Sequence, residues 1–589
     1  MEKAKTLKRR MDKPESFLSV AWDTDDIPDK ICVNPNLKWR DIDWKKVEKN
    51  VFKLQKLIYR ASSRGEIRKM RKYQKLLIKS HDALLLAVRN VTQDNQGKKT
   101  AGIDGIKNLP PMQRLHLVDL LKSRDLKASP TQKVSIPKTG RNQKRRLGIH
   151  SLYDLGLQTL VKLGMEPEWE AHFETNTYGF RPGRSTDDAI QAIYLSINDE
   201  PKYVLNADIS KCMSEVNHHA LLGKIDQSPY RQLVKQWLKS GVFDKSQFDP
   251  PLLELGTPQG EVISPLLANI ALHGMEKCLQ DFAETLPGNK RDNIQALSLV
   301  RYAGNFVILH KDIEVVMQAK AVVQEWLNNI GLELKPEKTR IAHTLEEYEG
   351  NQPGFDFLGF TVRQWKVKTS KQGFKTLIKP SKQSINTHYR KMAEVCDTHK
   401  SATVKVLITK LNPIIREWAN YFSAVVSNDI FQKLDHLLLR RIWRWASRRH
   451  SNKSAAWVKE KYFPHREGTK SWVLKDEEYI LNLHSDVSII RHVKVKDNKS
   501  PYDGDWIYWS SRMVNSPGIR KEVSTLLKKQ KGKCAFCGLS FRPTDTMEVY
   551  HVIPRSEKGN STSKNKELLH RHCHDTKTAL ERETSQSED

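Results

Sequence analysis

The chain has 589 residues and a formal net charge of +30, from 99 Lys and Arg against 69 Asp and Glu. That length exceeds what one core holds, and so large a positive surplus marks a polyanionic partner. The mean hydropathy is −0.61, and no run reaches the roughly 18–20 apolar residues of a membrane span, so a water-soluble protein with no membrane partner is expected.

The opening Met1–Phe17 is basic, but it carries acids early and has no apolar segment. It reads as neither a secretion signal nor a transit peptide, and the protein is expected to work where it is made. Val47, Val51, Leu54 and Ile58 then recur at helical spacing, with Lys45, Lys49, Lys53 and Lys56 between them. This predicts an amphipathic helix with a basic outer face. A second helical stretch runs through Leu76 and Leu77 to Leu84–Leu86. From about 101 to 365 short strand-like runs (Tyr203–Ala207, Leu297–His310, Phe357–Val362) alternate with helical patterns and Gly-Pro turns. That is α+β texture. From about 380 to 463 the chain reads as helical and rich in Arg and Trp; Gly and Pro rise again after Phe463, as in a linker.

Phe431, Leu434, Leu438, Ile442 and Trp445 share one face of a helix of 3.6 residues per turn, and Lys433, Arg440, Arg444 and Arg448 share the opposite one. A solvated face usually mixes signs. This one is almost wholly positive, and with Arg449 it predicts contact with RNA phosphates, for which the guanidinium fork is suited. The Trp residues are expected in the core.

The seven cysteines are scattered except for Cys534, Cys537 and Cys573, which argues against a disulfide framework. Cys534-x2-Cys537 and His570-x2-Cys573 form two pairs with the spacing of a tetrahedral Zn²⁺ site. His572 is an alternative ligand.

Several segments of the mixed region recur together in a known order. They are Ala101–Gly105 around Asp104, Ile136-Pro137-Lys138, Leu147-Gly148-Ile149, Tyr178–Thr186 (whose Arg181 and Arg184 are also expected to contact RNA), Ala207-Asp208-Ile209 and Lys211-Cys212. Thr257–Gly260, Ser264–Asn269, Tyr302-Ala303, Leu334–Thr339 and Phe357-Leu358-Gly359-Phe360 complete the set. The series resembles the reverse transcriptase of group II intron proteins. Leu411–Phe422, Arg444–His450 and Lys461-Tyr462-Phe463 resemble the thumb-like maturase domain of the same family. The segment from Cys534 to Lys577 resembles the His-Asn-His (HNH) endonuclease module appended to many of its members.

The resemblance implies an α+β multidomain chain: a right-hand reverse-transcriptase fold of fingers and palm, an α-helical thumb or maturase domain, and a small zinc-stabilised ββα-metal module. The implied boundaries are 1–100 for an N-terminal helical extension, 101–370 for fingers and palm, 371–465 for the thumb, 466–525 for a linker or DNA-binding-like region, and 526–589 for the HNH-like module.

Polymerisation by two metal ions needs hard carboxylate ligands. In the family one Asp comes from the strand of Asp208 and two from a Tyr-Ala-Asp-Asp turn. Here that turn reads Tyr302-Ala303-Gly304-Asn305, which leaves Asp208 alone as the residual acid. Lys211-Cys212-Met213-Ser214 stands where the family has Lys-Cys-Phe-Asp. In the nuclease module the match carries His551, Asn565 and His574 onto base, orienting and metal roles, but the Asp before the first His is Tyr550. Glu548 is the nearest substitute acid.

The expectation is a maturase that binds group II intron RNA as a ribonucleoprotein and promotes splicing, with polymerase and endonuclease chemistry lost. Structural Zn is expected, with Mg²⁺ required by the ribozyme and weak or absent in the protein's own sites. Two rival readings stay open: an active reverse transcriptase for intron mobility, and a nicking endonuclease with a DNA target. The expected compartment is a bacterial cytoplasm or the interior of an organelle that encodes the protein.

Overall fold

The computed structural model describes residues 38–587, apart from 95–108, 124–127, 129–130, 138–143, 150, 211–215, 240–241, 245–246, 250–261, 465–471, 497, 515–518, 520, 543–544, 554–559 and 561. Asp104, Lys138, Lys211–Ser214 and Thr257–Gly260 therefore lie outside the described residues. The helices used below are α1 Trp44–Ser63, α2 Ile67–Lys79, α3 His81–Arg89, α4 Leu152–Glu170, α5 Thr186–Ile197, α6 Ile313–Asn329, α7 Lys382–Thr398, α8 Val404–Tyr421, α9 Asn428–Arg449, α10 Trp506–Val514 and α11 Arg571–Ser587. The strands are β1 Tyr203–Asp208, β2 Ser298–Tyr302, β3 Asn305–His310, β4 Arg340–His343, β5 Phe355–Phe357, β6 Phe360–Lys366, β7 Phe374–Pro380, β8 Met547–His551 and β9 Lys566–His570. No described helix is long and apolar enough to cross a membrane.

The chain falls into two compact units, one of residues 1–172, 213–271 and 571–589, the other of 173–212 and 272–570. In the first, α1 begins at Asp43, whose carboxylate accepts from the Lys46 N–H. It buries Trp44, Val47, Val51 and Ile58 and exposes Lys45, Lys49 and Lys53, as the periodicity predicts. The second predicted helix is in fact two, α2 and α3, because Ser80 between them is extended (φ −72°, ψ 124°) and Leu76 faces solvent. A polar layer ties α2 to α4: the Gln74 amide donates to the Gly164 carbonyl and the Glu168 carboxylate, which also holds Arg71 at 2.8 Å. A four-stranded sheet, ordered Lys144–Ile149, Thr131–Pro137, Val242–Asp244, Gln247–Asp249, belongs to the same unit.

The second unit is built on an antiparallel sheet ordered β2-β3-β1-β4. Val204, Val300, Val307 and Leu309 enter one core with α5, while Leu205, Phe306 and Ile308 are buried as well, so both faces are covered. β5, β6 and β7 form a second sheet, whose Phe355, Phe357, Phe360, Val362 and Ile378 join that core. The β5–β6 turn is Leu358-Gly359, both left-handed (φ 50° and 85°). This two-residue turn matches the right-handed strand twist and explains the Phe-Leu-Gly-Phe run.

α7, α8 and α9 follow, with Ser381 and Thr403 capping the first two. α9 buries Phe431, Leu434, Leu438, Ile442 and Trp445, the stripe read from the sequence. The 466–525 stretch, expected as a linker or DNA-binding-like region, packs on α5. Asp188 accepts from His492 Nε2 (2.9 Å), from the Val495 N–H (2.8 Å) and from Arg512 of α10.

Candidate active site and nucleic-acid interface

Pairing of Asp208 with Asn305 across β1 and β3, and of Tyr302 with Asn305 across β2 and β3, places Ala303-Gly304 as a two-residue turn beside the end of β1. Ala303 is left-handed (φ 55°), and the Gly304 carbonyl accepts from the Ile209 N–H at 2.8 Å. Gly179 lies against this turn: a Cβ there would sit 2.4 Å from the Ala303 nitrogen, so only glycine fits. The turn thus keeps the geometry that would aim side chains at Asp208, but Gly304 and Asn305 bring no carboxylate to it.

Asp208 does not face solvent unpaired. Its Oδ2 is 2.6 Å from Lys338 Nζ and 3.0 Å from Lys335 Nζ, and its carbonyl accepts from the Lys335 N–H. Two ammonium groups therefore occupy the coordination sphere of the one acid at this position. A divalent ion there meets net positive charge, the reverse of what a hard cation needs.

Burial raises the Tyr302 phenol above its usual range, and another acid, Asp187 in the first turn of α5, is near enough to add to that rise. Burial pushes its carboxyl up to about 6, offset in part by His492 and Arg512. Its neighbour Asp188 goes the other way: burial raises it, but His492, Arg512 and the Val495 N–H outweigh burial and hold it below the usual range.

In the C-terminal module β8 pairs with β9, which ends at His570, and Cys573 lies three residues on in the first turn of α11. The sulfurs of Cys534, Cys537 and Cys573 and a His570 ring nitrogen all lie within 4.8 Å of one another. His570 Nδ1 is 3.4 Å from Cys537 Sγ, and Nε2 is 3.3 Å from Asp545 Oδ2. A carboxylate on the far ring nitrogen fixes the tautomer that aims a lone pair at a metal. The donor set fits a metal ion. His572 is not part of it, because its Nε2 lies 3.4 Å from Glu48 Oε1 and its ring packs near Trp44. The helix turns that side chain away from the cysteines.

Tyr550 is buried, and His551 is half-buried at the end of β8. Asn565 clamps the loop after His551: its Oδ1 accepts from the Ile553 N–H (2.8 Å), and its Nδ2 donates to the Ile553 and Asn560 carbonyls. His574 is half-buried in the first turn of α11.

On α9 the side chains of Lys433, Arg440, Arg444, Arg448 and Arg449 are exposed. Arg448, Arg444 and Arg441 line a cavity of about 250 Å³ with Lys400 and Arg449. Its acid, Asp397, is paired with Arg441. Arg449 holds the loop between α7 and α8 by donating to the Lys400 and Ala402 carbonyls, and lies over the Trp445 ring. The two RNA contacts expected at the turn before α5 differ. Arg181 is buried, donating to the Glu174 and Thr177 carbonyls, with its guanidinium over Phe173. Arg184 is half-buried and donates to the Thr175 carbonyl at 3.3 Å. Arg181 therefore holds the turn before α5 rather than a surface, whereas Arg184 keeps part of its side chain open to solvent.

Four family models match the chain in order. They are the N-terminal domain of reverse transcriptase over 39–121, reverse transcriptase (RNA-dependent DNA polymerase) over 136–362, the group II intron maturase-specific domain over 385–463, and HNH endonuclease over 534–580. Group II intron-encoded protein LtrA of Lactococcus lactis subsp. cremoris is 24% identical, over 80% of this chain and 88% of that protein. Maturase-like protein 1 of Euglena gracilis is 25% identical, over 64% of this chain and 76% of that one. Protein YkfC of Escherichia coli (strain K12) is 31% identical over 312 residues, which are 47% of this chain and 79% of that protein. The chain belongs to the group II intron reverse transcriptase/maturase family. As a group II intron protein it carries the reverse-transcriptase fold, the maturase domain and the HNH domain together.

Reading the sequence of this group II intron protein missed Lys335, Lys338 and Asp545. The two lysines sit inside the Leu334–Thr339 segment that carries the resemblance, but they lie 127 and 130 residues from the acid they cover. Asp545 offers no spacing signal. Its partner is recognisable only once His570 is known to turn its Nδ1 toward sulfur.

Proposed function

We propose that this group II intron protein is a dedicated splicing maturase that binds intron RNA and stabilises the folded ribozyme, while its polymerase and nuclease centres no longer act. The observation that carries this reading is the Asp208 carboxylate held between Lys335 and Lys338 beside a turn with no acid. The RNA surface is the exposed stripe of Lys433, Arg440, Arg444, Arg448 and Arg449 on α9, whose cavity offers guanidinium forks for phosphate. Neutralising phosphates lets a compact RNA fold at lower Mg²⁺, and that binding weakens steeply with salt. Mg²⁺ in the complex serves the ribozyme. The metal of the Cys3His set is Zn²⁺, held by Cys534, Cys537, His570 and Cys573, which is the donor chemistry zinc takes. In this reading residues 1–100 form an N-terminal helical extension, 101–370 fingers and palm, 371–465 the thumb, 466–525 a linker or DNA-binding-like region and 526–589 the HNH-like module, and the protein acts in the compartment that encodes the intron.

The test is primer extension on an RNA template beside splicing of the host intron at low Mg²⁺. The expected result is no extension and stimulated splicing, with Arg440→Glu/Arg444→Glu cutting intron affinity by about 10- to 100-fold at physiological salt. Extension by the unaltered protein, or splicing indifferent to the double reversal, overturns the reading. The nuclease half has a favourable observation of its own, the intact Asn565 clamp after His551, so supercoiled-plasmid nicking with Mg²⁺ and Mn²⁺ is measured separately. Nicking would return a DNA target to the list of partners.

A further inference from the structure

Between Phe360 and Pro380 the chain carries six basic residues (Arg363, Lys366, Lys368, Lys371, Lys375, Lys379) and no acid. β6 and β7 fold this stretch into an antiparallel hairpin with a strict alternation. Phe360, Val362, Gln364, Phe374 and Ile378 point inward and are buried. Gln364 locks the hairpin to the palm, donating to the Ile197 carbonyl and accepting from Thr344 Oγ1, both at 2.6 Å. The other face carries Thr361, Arg363 and Trp365 from β6, opposite Lys379, Leu377 and Lys375 from β7.

Trp365 stays 44% exposed, with the Arg363 guanidinium stacked 4.0 Å from its ring centroid. The exposed part of the indole is flat, polarisable surface available to a stacking partner. Lys375 lies directly across from it, and Lys379 four residues further along β7, about 13 Å away at the strand rise. Among the described residues no acid pairs with Lys368, Lys371, Lys375 or Lys379. Lys366 is paired with Glu346, and Asp356 accepts from Thr361 at the end of β6 far from the ring.

We propose that this outer face of the β6–β7 hairpin is a binding site for single-stranded RNA, with an unpaired base stacking on Trp365 and phosphates on Lys375 and Lys379. The inference rests on the reading of the protein as an RNA-binding maturase and adds to it a surface that takes unpaired nucleotides. A duplex stacks its base faces away and offers phosphates, 2′-hydroxyls and base edges instead, so an exposed ring flanked by cations favours single strands. Arg363, lying on one side of the indole, polarises the ring and leaves the other side for the base.

The test uses the full chain and a 5′-labelled 12-nucleotide oligouridylate, read by fluorescence anisotropy, with a blunt RNA duplex of equal length as control. Trp365→Ala is expected to weaken oligouridylate binding by about 5- to 100-fold and duplex binding by less than about twofold. Trp365→Phe restores most of the loss, which a merely structural effect on the hairpin would do equally for both RNAs. Lys375→Gln/Lys379→Gln lowers the slope of log affinity against log salt by about 1.4. Unchanged oligouridylate binding in Trp365→Ala overturns the site, as does an equal loss on duplex. Intron affinity of Arg440→Glu/Arg444→Glu is measured in parallel. If that falls while Trp365→Ala does nothing, the maturase reading stands and the hairpin site alone is wrong.

Discussion

The palm turn and the Cys3His set treat a cation in opposite ways. At the turn, one carboxylate is offered and two ammonium groups already hold it. In the C-terminal module, three sulfurs and an imidazole converge within 4.8 Å, and Asp545 steadies the imidazole from behind. Both places are well packed: Gly179 fits under the turn, and Cys534 and Cys573 are buried. The difference is therefore not decay of folding but of charge. A site keeps its backbone when the side chains that only serve chemistry change, because hydrogen bonds and core contacts set the geometry.

The strongest way to break the contrast is to remove a sulfur. Cys573→Ala is expected to abolish stoichiometric metal binding and open the module to limited proteolysis, since a structural zinc site contributes on the order of 10 kcal/mol; metal content by atomic emission is the check. From the other side, Gly304→Asp/Asn305→Asp should convert the turn into a cation site and raise Mn²⁺ affinity by about tenfold or more, read by calorimetry. A null result would mean that Lys335 and Lys338 alone keep the metal out. Asp545→Asn sharpens the comparison more gently, with zinc affinity expected to drop about 10- to 100-fold in chelator competition while the fold is retained.

A pH-dependent effect is expected at Asp187. Its folded carboxyl is pushed up to about 6 by burial, so the ionised form is disfavoured in the native state. The resulting instability is absent below about pH 4, grows as pH rises and is complete above about pH 6. Asp187→Asn should therefore stabilise at pH 7.5 by up to about 3 kcal/mol, with the gain shrinking at pH 4.5. Thermal denaturation at the two values checks it, and a gain that persists in acid would point to packing instead.

Much of this was legible in the residues. The buried stripe of α9 follows from apolar spacing, and the strands around Asp208 and Asn305 from short strand-like runs, because local pattern and tertiary environment agree there. The Cys3His set was legible from two pairs at metal-ligand spacing. Arg181 was misread because a basic residue in a Gly-Pro turn looks solvent-facing, whereas its buried guanidinium donates to the Glu174 and Thr177 carbonyls within the fold. His572 and the Asp208 lysines depend on contacts between residues far apart in the chain, which no window of sequence contains.

Asp188 has a consequence for where the protein can be cut. Its carboxylate, buried under α5, draws on His492, the Val495 N–H and Arg512, all more than three hundred residues downstream. A shortened version ending after the maturase helices would strand that anion with only its own helix cap for company. The workable truncation point thus lies beyond residue 512, and anyone dividing the chain into modules for expression should place the break by what Asp188 holds, not by where Gly and Pro become frequent.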